Sequence, residues 1–168
     1  GGIVGCDLGK VTYYIDGCVN AGEIDLIYQT YVGSILGSIA AKESTCHITN
    51  SFGVKEDFFR GVYGVTGTLN GGVSMMPESI LLGKGGYQYT TLDFDEHWAA
   101  VENGTPILKC FADEVVDLSG VKKMVDISWY QADKSVYTLE TLEELYGFYL
   151  LSTYSKFKGK TIKLAADI

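Results

Sequence analysis

Arginine is almost missing from this chain: Arg60 stands alone, and 21 acidic residues against 13 basic ones leave a formal net charge of −8. Guanidinium forks are the usual means of clamping phosphates and reading guanine, and a surface of this sign repels polyanions. Nucleic acid and anionic lipid surfaces are therefore not expected as partners. Nor does any apolar run approach the roughly 20 residues that a membrane-spanning helix needs, so no membrane insertion by that route is expected. Proline is scarce, with only Pro77 and Pro106, and histidine is limited to His47 and His97. No cysteine pair has the CxxC spacing of a zinc knuckle or redox motif. A G-x-S-x-G elbow is also lacking, and Gly83-Lys84-Gly85-Gly86 has neither the glycine spacing nor the following Ser or Thr of a phosphate-binding loop. Acid pairs such as Asp113/Glu114 and Glu143/Glu144 are sequence neighbours, which does not set two carboxyls across a cleft. The expectation is a protein without catalysis, without a cofactor and without a metal.

What is present is glycine, 21 residues of it, scattered between short runs of β-branched, aromatic and aliphatic residues. That is the texture of strands joined by tight turns. With 46% hydrophobic residues in 168, the chain is long enough for one good core and short for two, so a single domain over 1–168 is expected. Strand candidates lie at 11–15, 24–32, 35–41, 45–49, 58–66, 80–82, 87–92, 97–101, 106–111, 124–130 and 161–164. Asp16-Gly17 and Asn70-Gly71-Gly72 supply turn signals, the second of hairpin type. One late segment differs: Leu139, Leu142, Leu145, Tyr146 and Tyr149 recur at helical spacing, and Thr141 with Glu144 can form a capping box. An amphipathic helix is expected over about 139–154, bent or closely packed at Gly147. No internal repeat stands out. Many short strands followed by a helix predict a mainly β fold, an antiparallel β-barrel or a β-sandwich.

Cys6, Cys18, Cys46 and Cys110 are even in number and widely spaced, which favours two disulfides in an oxidising compartment; four reduced, buried thiols are the alternative. Asn103-Gly104-Thr105 is a glycosylation sequon in a turn-like setting, with Pro106 just after it. The opening Gly1-Gly2-Ile3-Val4 fits a processed mature terminus or a recombinant one. Together these predict a secreted, extracellular glycoprotein. Asp93, Asp95, Glu96 and His97 are the densest set of metal-ligand types, yet they crowd one short turn and lack the spacing of a calcium loop, so a solvated acidic turn is expected there. His47 next to Cys46 does not make a nucleophile pair, because neighbours on a strand point to opposite faces.

The order of elements, and the run Leu92-Asp93-Phe94-Asp95-Glu96-His97-Trp98-Ala99-Ala100-Val101 with its resemblance to a Thr-Asp-Tyr type turn opening a strand, is similar to the lipocalins. The Gly-x-Trp element of that family has no counterpart, since Trp98 and Trp129 are the only tryptophans. The resemblance implies a barrel holding a small apolar ligand of fatty acid, retinoid, carotenoid or bilin type. Aromatics on the candidate strands are the expected lining: Tyr13, Tyr28, Tyr31, Phe59, Tyr63, Tyr87, Tyr89, Trp98 and Trp129. The competing expectation is a structural or storage subunit of a secreted assembly, in which tyrosine and glycine serve packing within a homo- or hetero-oligomer.

Overall fold

The structure is a computed structural model that describes residues 2–7, 9–22, 24, 32–54, 60–153, 157–165 and 167–168. Its first half consists of three coils of chain stacked in parallel. The first coil carries β1 (Val4–Asp7), β2 (Thr12–Asp16) and β3 (Val19–Asn20), the second β4 (Gly33–Ile39) and β5 (Thr45–Val54), and the third β6 (Arg60–Val65) and β7 (Thr68–Met76). β4 lies between β1 and β6, while β5 lies between β7 on one side and β2 and β3 on the other, every pair parallel. Residues therefore stand in columns: Val4 on Leu36 on Val62, Thr12 on Thr45 on Thr68, Tyr13 on Cys46 on Leu69, Val19 on Phe52 on Ser74. The result is a short β-solenoid, in which each coil contacts only its neighbours.

Left-handed residues turn the corners. Asp16 partners Thr49, so Gly17 (φ 60°) and Asn50 (φ 46°) occupy the same corner of successive coils, and Gly71 (φ 94°) bends the third. At Gly71 a Cβ would sit 1.8 Å from the Ile48 carbonyl oxygen, so no side chain fits there. The β5–β7 register slips between Ile48 and Ser51, where the two corners differ by one residue. Strand alternation sends Ile15, Ile35, Ile39, Cys46, Ile48 and Val73 into a shared interior with Leu36. Each large aliphatic residue withdrawn from water in this way contributes about 1.5–3 kcal/mol.

The remaining chain packs against one outer face of the stack. α1 (Glu78–Leu81) and α2 (Lys84–Tyr89) follow β7 directly; β8 (Trp98–Ala99) and β9 (Ile107–Leu108) form a small antiparallel pair; Lys109–Phe111 is a 3-10 turn. A second core joins Phe52 and Met76 of the solenoid to Leu81, Leu92, Phe94, Trp98, Val125 and Leu150. A hydrogen bond from Thr91 Oγ1 to Asn50 Oδ1 (3.0 Å) ties this lobe to the corner. Last comes a β-α-β unit, β10 (Val136–Leu139), α3 (Leu142–Ser152) and β11 (Thr161–Leu164), whose two strands pair in parallel.

This architecture overturns the antiparallel barrel or sandwich. Among the described residues only β8 and β9 pair antiparallel, and no sheet closes on itself. Glycine- and asparagine-rich corners misled because a positive φ bends the chain without saying whether the next strand reverses; Asn70-Gly71-Gly72 lies inside β7, not at a hairpin tip. The runs expected as strands at 80–82 and 87–92 fall in and beside α1 and α2, and 124–130 has no regular structure. Most of the 24–32 candidate lies outside the described residues. The repeat, invisible by eye, is structural.

α3 forms where expected, with Thr141 Oγ1 accepting from Glu144 N (3.2 Å) and Glu144 Oε2 accepting from Thr141 N (3.2 Å). Its buried face is a different one, however. Gly147, Leu150 and Leu151 are inside, while Leu142, Tyr146 and Tyr149 of the anticipated stripe are exposed. Gly147 explains the choice: a Cβ there would lie 1.9 Å from the Asp126 carbonyl oxygen, so the helix approaches the lobe at the one point without a side chain. Gly147→Ala should lower the melting temperature, since overpacking costs about 1–3 kcal/mol against a gain in helix propensity of about 1 kcal/mol. A rise in thermal unfolding temperature would show that this close approach does not exist.

Candidate functional site

An apolar concavity lies where β7 runs into the lobe. Met75 and Met76 end the third coil, Pro77 turns the chain, and Ile80, Gln88 and Tyr89 of the short helices face Tyr146, Tyr149 and Leu150 of α3 across a cleft of about 380 Å³. Tyr89 and Tyr146 meet edge to face with ring centroids 5.7 Å apart. Thioethers and tyrosine rings make an adaptable apolar lining with a few hydroxyl groups for orientation. Tyr146 and Tyr149 continue onto the outer face of α3 beside Leu142 and Leu145, so cleft and helix share one aromatic patch.

Of the six described aromatic residues expected to line a ligand cavity, Tyr89 alone lines this cleft. Tyr28, Tyr31 and Phe59 lie outside the described residues. Tyr13 points into the solenoid, where burial pushes its hydroxyl far above the usual tyrosine range; Tyr13 Oη and Asp7 Oδ2 are both buried without a hydrogen-bond partner among the described residues. Tyr63 sits on the third coil with its side chain partly exposed. Tyr87 meets Phe94 at 5.6 Å, with Lys123 Nζ 4.5 Å from the Tyr87 ring centroid, and desolvation lowers the pKa of that lysine. Trp98 is buried in the second core. Trp129 belongs to a separate aromatic cluster with Tyr130, Tyr137 and Phe157 under the β-α-β unit. The residues that sequence reasoning missed are Met75, Met76, Tyr146 and Tyr149. Both tyrosines stand at helical spacing in the sequence, which places them on the expected buried stripe and not at a cleft.

Asp93, Glu96 and His97 bring one ligand atom each within 4.8 Å of one another, all exposed. Their arrangement has a local cause. Asp93 Oδ1 accepts from the backbone N–H groups of Asp95 and Glu96, both at 2.9 Å, and these bonds hold its carboxyl below the usual range. Lys109 Nζ donates to the Asp95 carbonyl oxygen at 2.7 Å, placing a cation beside the acids. Asp93 is thus committed to shaping the turn that delivers Trp98 to the core.

A wider, open groove of about 960 Å³ runs between Leu82 and Lys84, Val101–Asn103 and the 111–117 segment. Asn103, exposed with φ 58°, stands on its rim.

The two expected disulfides are not formed: Cys6, Cys18, Cys46 and Cys110 are all free. Stacking is the reason, because it assigns them to different sites. Cys46 fills the interior as a small hydrophobe, with burial raising its thiol pKa, and Cys6 Sγ lies 2.9 Å from Ser38 Oγ. Cys18 follows the Gly17 corner, its thiol also raised by burial, while Cys110 is exposed in the 3-10 turn. In native, unreduced protein a thiol reagent should therefore label Cys6 and Cys110 quickly and Cys46 only after unfolding. Peptide mapping by mass spectrometry reads this directly, and recovery of any two of these cysteines as a linked pair would refute it.

Comparisons with protein-family models, with curated proteins and with solved structures found no match to this chain.

Proposed function

We propose that this chain is a non-catalytic structural module, a short β-solenoid stem carrying a lobe, which works by presenting surfaces to other molecules of an assembly. The observation that carries this reading is the filled stack: Ile35, Leu36, Ile39, Cys46 and Ile48 are fully buried in one cluster, so among the described residues the chain's own side chains occupy the interior of the largest element. Chemistry-bearing side chains are spent on structure. His47 stacks on Tyr14 with ring centroids 4.6 Å apart, and Asp16 Oδ1 accepts from Asn50 Nδ2 at 2.9 Å across the coil boundary. Such a module should show no thermal shift above about 1 °C with fatty acids, retinoids or carotenoids, because only a ligand that binds the native state raises its stability. A saturable shift with any of them would count against it.

The Met–Tyr cleft supports a second reading, binding of a small apolar molecule. Its volume of about 380 Å³ falls inside the range of small-ligand sites, and its lining is mostly apolar. In that case a fatty acid at about 100 times its Kd adds about 2.7 kcal/mol, a shift of roughly 5–10 °C for a chain of this size, and Tyr149→Arg at the mouth abolishes it. An unchanged shift in Tyr149→Arg would remove the cleft from consideration.

An extracellular setting belongs to the same proposal. With the thiols free it rests on the exposed Asn103 sequon. Material from the natural source should lose mass on treatment with a peptide N-glycosidase; no loss would withdraw that setting.

A further inference from the structure

We infer that the solenoid is built to stack end to end on a second copy of this chain, the third coil of one molecule seating on the first coil of the next. This inference rests on the structural-module reading and names its partner.

Three observations converge on it. The first is the backbone. Among the described residues β1, β2 and β3 pair on one side only, and β6 and β7 likewise pair on one side only. Because all these pairs are parallel, the free edge of the first coil relates to the free edge of the third as the two sides of any coil boundary relate inside the molecule. The second is the core. Leu36 and Cys46 in the middle coil are fully buried, whereas their column partners Val4 and Tyr13 above, and Val62 and Leu69 below, are only half-buried. Among the described residues these two columns therefore end half-exposed on both end coils, although Ile15 and Val73 of those coils are buried, and solenoids with uncapped ends expose the surface that stacking would cover. The third is the outer column of Tyr14, His47 and Asn70. The His47 ring covers one face of Tyr14 at an interplanar angle of 14°, and Tyr14 remains 74% exposed, the stack ending on an open ring.

Two of the usual guards against edge pairing, lysine and proline, are missing from these strands. Natural sheets blunt exposed edges with lysine, proline or strong bulges, yet β1, β2, β3, β6 and β7 contain neither lysine nor proline. Charge does not oppose the match. Over 60–76 the only charged residue is Arg60, while the first coil carries Asp7 and Asp16 against Lys10. In the stacked arrangement Asn70 of one copy continues the column onto Tyr14 of the next. The contact is heterologous, so it repeats along an axis instead of closing into a two-fold dimer.

Sedimentation velocity on the full chain, over a wide concentration range, tests this. Wild-type protein should show a concentration-dependent series of species extending beyond dimer. Tyr14→Lys combined with Asn70→Lys opposes two cations in the joining column and should weaken association by about tenfold or more, and Tyr14→Lys combined with Asn70→Glu should restore it. Both positions are exposed and face outward, and circular dichroism with thermal unfolding verifies that each variant folds. Wild-type protein that sediments as one chain at every concentration overturns the inference, as does association that the Lys/Lys variant leaves unchanged. The structural-module reading is judged separately by the ligand shifts, so association at some other surface would defeat the axial contact and leave that reading standing.

Discussion

Parallel hydrogen bonding between successive coils is the constraint from which the other features follow. Once Thr12 pairs with Thr45 and Thr45 with Thr68, every side chain belongs to a column, and its inward or outward direction is set by strand alternation. The interior fills with Ile15, Ile48 and their neighbours because they share a parity, and Tyr14, His47 and Asn70 stand outside because they share the other. The register also decides where glycine is needed. Gly71 falls against the Ile48 carbonyl at the third corner, and Gly17 shares the first corner with the position that Asn50 fills in the second coil.

The lobe packs against this stack through a core of its own. Phe52 and Met76 face outward from the last part of the coils and supply one wall of the second core; Leu81, Phe94, Trp98, Val125 and Leu150 supply the other. These are separate clusters with different partners, which fits a solenoid built from neighbour contacts beside an irregular domain held by a few large residues. α3 is fixed at its N-terminus by the capping box and along its length by Gly147 against Asp126. Leu142, Tyr146 and Tyr149 are thereby turned outward.

Local chemistry was legible in the sequence, whereas long-range pairing was not. The strands around Thr12–Asp16, Gly33–Ile39 and Thr161–Leu164 could be read from β-branched and aromatic runs, and the α3 cap from Thr141 and Glu144. Parallel against antiparallel could not, because both arrangements place the same residues in strands and the same Gly and Asn at bends. The repeat was hidden by unequal coils: Thr45 follows its partner Thr12 at a longer interval than Thr68 follows Thr45, and few positions keep one residue type in all three. The face of α3 was misread since the helix, Leu-Glu-Glu-Leu-Tyr-Gly-Phe-Tyr-Leu-Leu-Ser, is apolar on more than one side. Only the contact at Gly147 selects between its faces. Even cysteine count carried no pairing information once stacking had sent Cys46 inward and Cys110 to the lobe surface.

In the proposed reading, function belongs to the boundary of the molecule and not to its interior. A barrel of comparable size closes its sheet and can keep an internal cavity, while a solenoid spends its interior on its own coils and leaves strand edges at each end. Two of the apolar surfaces that remain available differ in kind. One is the aromatic patch of Tyr89, Tyr146 and Tyr149 beside the methionines, a recess of small-ligand size. The other is the pair of open coil ends, where half-buried Val4 and Tyr13, and Val62 and Leu69, repeat the same columns. A recess can be left empty at little cost in stability, whereas an open core end exposes apolar surface on every molecule at all times. Covering such an end is favourable by about 25 cal/mol for each Å² of apolar area removed from water, with new backbone hydrogen bonds formed along the same edge. The coil ends are accordingly the surface with the larger free-energy incentive for contact, and the recess is the one with room for selectivity.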